Sequence, residues 1–341
     1  MIIRIIYIFI YFIFSNNNFL FANEVNIFTS RHYESDYKLY NSFTQKTGIK
    51  VNVVSGKSKL LEKRIIEEGT DCKGDLLILA DAGRLGSAEN KGLFQKISSE
   101  ILIDKIHPNL RTDYWFSIAK RARIFFYNEN ILKEDDIKEL DYLNLADKKW
   151  FESILIRSSN SVYNQSLVAY MIENYGEKKT SSWVKSLVKN MARSPQGNDR
   201  AQILGIAANE GKIAVANTYY YALMLSGKKG NEQKKAALKV KPLFPGQKSK
   251  GIHINVSGVG VLKNSPNKKN AIRLLEFFLS DEAQNHIVNN TYEYPISSSA
   301  ETNPLITQMG INFKENNQIN VSTYFKWQSK AYEIMLKHGW E

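Results

Sequence analysis

Apolar and polar positions along this chain alternate between two periods, one of strands and one of helices. Val25-Asn26-Ile27-Phe28 reads as a short strand, and Leu39, Tyr40 and Phe43 then share a helical face that Gly48 can stop. Ile49, Val51 and Val53 alternate as a second strand, and Leu60, Leu61, Ile65 and Ile66 predict a helix ending at Gly69. Asp75-Leu76-Leu77-Ile78-Leu79-Ala80 is the continuous apolar run expected of a strand buried in a parallel sheet. Arg123-Ile124-Phe125-Phe126-Tyr127-Asn128 predicts a strand that carries the chain into a second unit. That unit holds a strand at Ile154-Leu155-Ile156, helical faces through Leu167, Val168, Met171, Ile172 and Tyr175 and through Trp183, Val184, Leu187, Val188 and Met191, and a strand at Ile213-Ala214-Val215-Ala216. Pro242 and Pro245 mark a loop before Ile252-His253-Ile254-Asn255-Val256, a strand that returns the chain to the first unit.

Three of these strands run into tyrosines. Ile213–Ala216 leads into Asn217-Thr218-Tyr219-Tyr220-Tyr221, expected as a loop at the strand end; Val25–Phe28 leads into Ser30-Arg31-His32-Tyr33; and Ile154–Ile156 leads through Ser158-Ser159-Asn160-Ser161-Val162 to Tyr163. Ligands of open α/β sheets sit outside the carboxyl ends of strands, so tyrosines distant in sequence can meet in one cleft. Phenolate is a hard oxygen donor and suits Fe(III) better than zinc or copper(I). The competing reading is that the rings pack a core, in a chain with 18 tyrosines.

Length and composition narrow the class. A chain of 341 residues, 43% hydrophobic, buries a sizeable core and favours two domains. Arg4 is the only early charge, Ile5 to Phe14 are largely apolar and Ala22 is the expected cleavage point, which predicts a signal peptide and export to the periplasm. Cys72 is the lone cysteine and excludes an intrachain disulfide and a cysteine zinc cluster. Losing Arg4 with the leader takes the formal charge from +12 to +11. The basic residues are scattered and accompany no nucleic-acid motif, so no nucleic-acid partner is expected. The chain has no Gly-x-Ser-x-Gly elbow, phosphate loop or His-Glu-x-x-His, so no enzyme activity is expected.

The sequence resembles the iron-binding members of the periplasmic solute-binding proteins of ABC transporters, most closely their cyanobacterial ferric-iron-binding branch. The resemblance runs through Ser30-Arg31-His32-Tyr33, Gly74 to Asp81, Arg121 to Asn128, Asn217-Thr218-Tyr219-Tyr220, Gly251 to Gly258, Leu279 to Gln284 and Glu293-Tyr294-Pro295. It implies an α/β, two-lobed clamshell, each lobe a mostly parallel sheet flanked by helices, joined by hinge crossover strands. Residues 1–22 are then the signal peptide, 23–122 the first part of lobe 1, 123–250 lobe 2, 251–305 the return to lobe 1, and 306–341 a helical segment belonging to either lobe.

The resemblance also implies a site and a function. Fe(III), with Fe(II) as the alternative cargo, is held by Tyr33 from the first lobe and by Tyr163, Tyr219 and Tyr220 from the second. Iron or a ferric chelate is captured and passed to an ABC permease by a monomeric receptor. Lys59 stands where some relatives carry a glutamate ligand, and Tyr163 can fill that role. His32 is an additional candidate ligand, although neighbours in an extended segment point opposite ways. Three phenolates neutralise Fe(III) and a fourth leaves the site at −1, which a guanidinium would offset. Arg123 is the candidate for that, the alternative being an ordinary ion pair. Two other functions remain open: an exported receptor for a small organic or anionic ligand, and an exported metal-dependent hydrolase.

Overall fold

The computed structural model describes residues 23–31, 33–297 and 299–341. The leader expected over 1–22 and the candidate ligand His32 lie outside the described residues.

Strands and helices alternate through the first lobe, with β1 at Glu24–Thr29, α1 at Ser35–Thr47, β2 at Lys50–Ser55, α2 at Ser58–Glu68, β3 at Leu76–Leu79, α3 at Ala82–Asn90 and α4 at Glu100–Lys105. The long β4, Trp115–Tyr127, leads into the second lobe. That lobe contains α5 at Glu134–Ile137, β5 at Ile154–Leu155, α6 at Val162–Tyr175, α7 at Glu177–Lys189, α8 at Asp199–Ala207, β6 at Ile213–Asn217, α9 at Thr218–Leu225, α10 at Asn231–Leu238 and β7 at Lys241–Leu243. The chain returns through β8, Ile254–Val261, to α11 at Lys268–Phe277 and α12 at Asp281–Thr291, and ends with α13 at Pro304–Met309 and α14 at Tyr324–Lys337.

The sheet order is β2-β1-β3-β8-β4-β6-β5, with β7 also on β4. β1 pairs in parallel with β2 and with β3, whose continuous apolar run predicts a parallel sheet, and β5 pairs in parallel with β6. β8 and β4 run antiparallel to their neighbours because they carry the chain between lobes, so the sheet is mixed where it crosses. β4 does the bridging itself: Trp115 to Ala122 pair with β8 in the first lobe, and Arg123 to Tyr127 pair with β6 in the second. The Tyr142 hydroxyl ties the crossing segments, donating to the Arg123 carbonyl at 2.6 Å and accepting from the His253 N–H at 3.1 Å. Gly251 precedes β8 with φ +88, and a Cβ there would lie 2.7 Å from the Lys314 carbonyl oxygen, so a side chain would force the return crossing apart.

Burial explains why the apolar runs became strands. Leu76 to Leu79 have no exposed surface, and every residue of β4 except Lys120 is buried. Gly48 ends α1 as the pattern predicts, at φ 70, its N–H bonding the Thr44 carbonyl at 2.8 Å. α14 packs on α3 of the first lobe and on α6 and α7 of the second, so the C-terminal segment spans both.

Candidate metal centre

Tyr33, Tyr163, Tyr219 and Tyr220 line one cleft of about 670 Å³ between the lobes. Tyr33 lies just before α1, and its carbonyl accepts the Asp36 N–H at 3.0 Å. Tyr163 is the second residue of α6, and Tyr219 and Tyr220 are the second and third of α9. The expected loop after β6 is therefore absent: Asn217 ends the strand and the helix begins at Thr218. A helical start answers the objection that neighbours on a strand diverge, since successive side chains on a helix are only about 100° apart. The Tyr219 and Tyr220 rings stack at 4.3 Å between centroids, and the Tyr219 hydroxyl donates to the Tyr163 hydroxyl at 3.2 Å. Tyr221 turns away, its hydroxyl donating to the Val240 carbonyl at 2.7 Å.

These positions are electrostatically matched to phenolates once a cation arrives. Tyr163, Tyr219 and Tyr220 occupy first turns, where unpaired N–H groups and the helix dipole favour negative charge. Arg31 lies over the Tyr33 ring at 4.5 Å; Arg121 and Arg157 lie 5.3 and 5.5 Å from the Tyr163 ring centroid. Arg31 and Arg121 are buried and share Glu293, at 2.5 and 3.4 Å. Arg31 also pairs with Asp36 at 2.8 Å. Arg200, Lys228 and Lys229 line the cleft as well.

Before any metal binds, Tyr33, Tyr219 and Tyr220 hold their protons. Burial pushes the Tyr33 phenol well above its ordinary value and the Glu293 carboxylate adds to this, against the pull of Arg31. Burial, then the neighbouring Tyr163, Tyr220 and Tyr33 phenols, raise Tyr219 in the same way. Tyr220 is pushed up to about 12, first by burial and then by Tyr163 and Asp199.

Arg123 is placed differently from the expectation that it offsets the site's surplus charge. Its guanidinium is fully buried in the second lobe and bonds Asp199 at 3.3 Å, Asn217 at 3.1 Å and Asn164 at 2.5 Å. Asp199 is shared with Arg157, whose guanidinium lies 3.7 Å away, and Arg123 directs its other bonds to Asn164 and to Asn217, the residue from which α9 starts. The guanidiniums at the phenols are those of Arg31, Arg121 and Arg157, which sequence reasoning passed over. Arg121 carried a legible signal: it sits two residues from Arg123 on a buried strand, so both face the same side.

The remaining histidines do not line the cleft. His253 is buried between the rings of Tyr170 and Tyr324, His286 bonds the Ser35 carbonyl, His338 bonds Ser181, and His107 caps the Asn109 N–H. Lys59 is exposed on α2. Among the described residues no group of three or more His, Cys, Asp or Glu could hold a metal ion.

Iron uptake protein A1 of Synechocystis sp. is 40% identical over 320 residues, covering 93% of this chain and 88% of that protein. The solved Trichodesmium FutA (IdiA) in complex with iron and citrate ligands is 42% identical, with a TM-score of 0.89 over 93% of this chain and 100% of that one. The ferric binding protein from Campylobacter jejuni is 36% identical, with a TM-score of 0.86 over 93% and 100%. The family of bacterial extracellular solute-binding proteins matches residues 71–322, and with these relatives and the two-lobed fold, this chain belongs to it.

Proposed function

We propose that this chain is the extracytoplasmic iron(III) receptor of an ABC-type uptake system. It captures Fe³⁺ between its lobes, holds it with the phenolates of Tyr33, Tyr163, Tyr219 and Tyr220, and delivers it to a membrane permease without catalysing a reaction. The observation that carries this reading is the convergence of four phenols, from three segments of two lobes, on one cleft with guanidiniums beside the rings. Phenolate oxygen matches the hardness of the ferric ion, and no His, Cys, Asp or Glu cluster among the described residues competes as a donor set. Relatives whose names describe iron uptake and ferric binding support iron as the cargo.

Four phenolates leave the ferric site at −1, and Arg157 beside Tyr163, which shares the single Asp199 carboxylate with Arg123 and so leaves that group at +1, offsets it at close range. His32, next to Tyr33 in sequence, is a candidate fifth donor. The leader over residues 1–22 would bring the protein to the periplasm, where the permease collects its cargo.

A second reading has its own support: Arg200, Lys228 and Lys229 in the same cleft suit an anionic ligand, as in a receptor for a small organic anion or for a ferric chelate. One experiment separates them. Purified protein given ferric citrate should take up stoichiometric iron by elemental analysis and develop a phenolate-to-iron charge-transfer band. A colourless, iron-free protein that binds citrate alone would reject the iron reading.

A further inference from the structure

Asp81 follows β3 and is fully buried, yet its carboxylate is held by neutral donors from four elements. Oδ1 accepts the Arg84 N–H of α3 at 3.0 Å and Gln328 Nε2 of α14 at 2.8 Å. Oδ2 accepts the Ser166 hydroxyl of α6 at 2.6 Å and Asn255 Nδ2 of β8 at 2.7 Å. Gln328 Nε2 also donates to the Ser166 hydroxyl at 3.0 Å, which closes a triangle between the first lobe, the second lobe and the C-terminal helix. Gly83 makes room for it, since a Cβ there would lie 2.3 Å from Gln328 Cδ.

Ser166 lies three residues after Tyr163, one turn deeper on the same face of α6. The C-terminal segment also grips the chain entering that helix: the Tyr332 hydroxyl donates to Asn160 Oδ1 at 3.1 Å, and Trp340 Nε1 donates to the Arg157 carbonyl at 2.8 Å.

We propose that Asp81, Ser166 and Gln328 form an inter-lobe seat that positions Tyr163 for iron capture. The inference rests on Tyr163 being an iron ligand. A metal ligand must be held to within about 0.5 Å, and α6 crosses from the lobe opposite Tyr33, so its start needs an anchor to the first lobe. Ser166 provides that anchor through a carboxylate that cannot yield without losing buried hydrogen bonds. These are positioning residues, acting on iron only through Tyr163.

The test is a double-mutant cycle on the full-length chain, with ferric affinity measured by citrate competition and the charge-transfer band recorded alongside the melting temperature. Ser166→Ala and Asp81→Asn should each weaken ferric binding about tenfold and move the band towards that of Tyr163→Phe, the size expected for coupled residues. Adding Ser166→Ala to Tyr163→Phe should then cost no further affinity. Additive losses, or a lower melting temperature with wild-type affinity and band, would overturn the proposal. Should Asp81→Asn not fold, Ser166→Ala, which removes a single hydroxyl, carries the test. If Tyr163→Phe itself binds iron like the wild type, the tyrosine assignment fails and takes this inference with it. If Tyr163→Phe loses affinity and Ser166→Ala does not, only the seat is wrong.

Discussion

Replacing Tyr219 by Phe tests the chemistry of the site through its proton count. Tyr219 is 6% exposed, so Phe preserves the buried ring and its stacking on Tyr220 and removes only the oxygen. In the apo protein, burial keeps Tyr33, Tyr219 and Tyr220 protonated well past neutrality. Ferric binding must expel those protons, so each of the three phenols makes the apparent affinity fall about tenfold for each unit by which the pH is lowered, or about a thousandfold together. Tyr219→Phe should lower the slope of log affinity against pH by about one, and proton release by about one per iron bound. The assay is citrate competition from pH 6 to 8 followed by the charge-transfer absorbance, with a weakly buffered titration for protons, both corrected for proton exchange on ferric citrate. An unchanged slope and proton yield in Tyr219→Phe would refute phenolate coordination by that residue.

Three further outcomes follow from the arrangement of charges and hydroxyls. Arg121→Gln should weaken ferric binding in competition assays, whereas Arg123→Gln should chiefly lower stability, by about 2 kcal/mol in urea denaturation, because it removes the closer of the two guanidiniums on buried Asp199 and leaves only Arg157 at 3.7 Å; equal effects of both on iron would contradict this division. Tyr221→Phe should leave iron titrations unchanged and destabilise by about 1 kcal/mol through the lost bond to Val240, and a loss of iron would move Tyr221 into the site. Apo-protein stability should be intact below about pH 10 and decline above it, because tyrosines raised in the fold, including Tyr175 and Tyr221 at about 12, ionise first in the unfolded chain; equal urea midpoints at pH 9 and 11 would count against it.

Much of the candidate site was legible along the chain. The apolar runs marked the strands because buried strands leave a continuous signature, except at Lys241–Leu243, where Pro242 read as a loop and the chain forms β7, and the tyrosines fell two to eight residues beyond three of them. The start of α9 was not legible. Thr218-Tyr219-Tyr220 has weak helix propensity, and the helix is selected by packing, with Thr218, Tyr219, Tyr221 and Ala222 all buried. The partners of the arginines were equally hidden. Arg121 and Arg123 sit two apart on one strand, but β4 changes its neighbour between them, from β8 to β6, and so delivers one guanidinium to the phenols and the other to Asp199.

Composition, periodicity and motif order by themselves determined an α/β chain, crossings between two units, and a set of tyrosines suited to a hard cation, because these depend on local patterning and donor chemistry. Only the tertiary structure decided which charges face those tyrosines and how the lobes are tied. Asp81, Ser166 and Gln328 are separated by 85 and 162 positions and share no local pattern, and they meet because α14 packs across both lobes. Hydrogen bonds between such distant residues depend on where the packed helices come to rest, which no local period encodes.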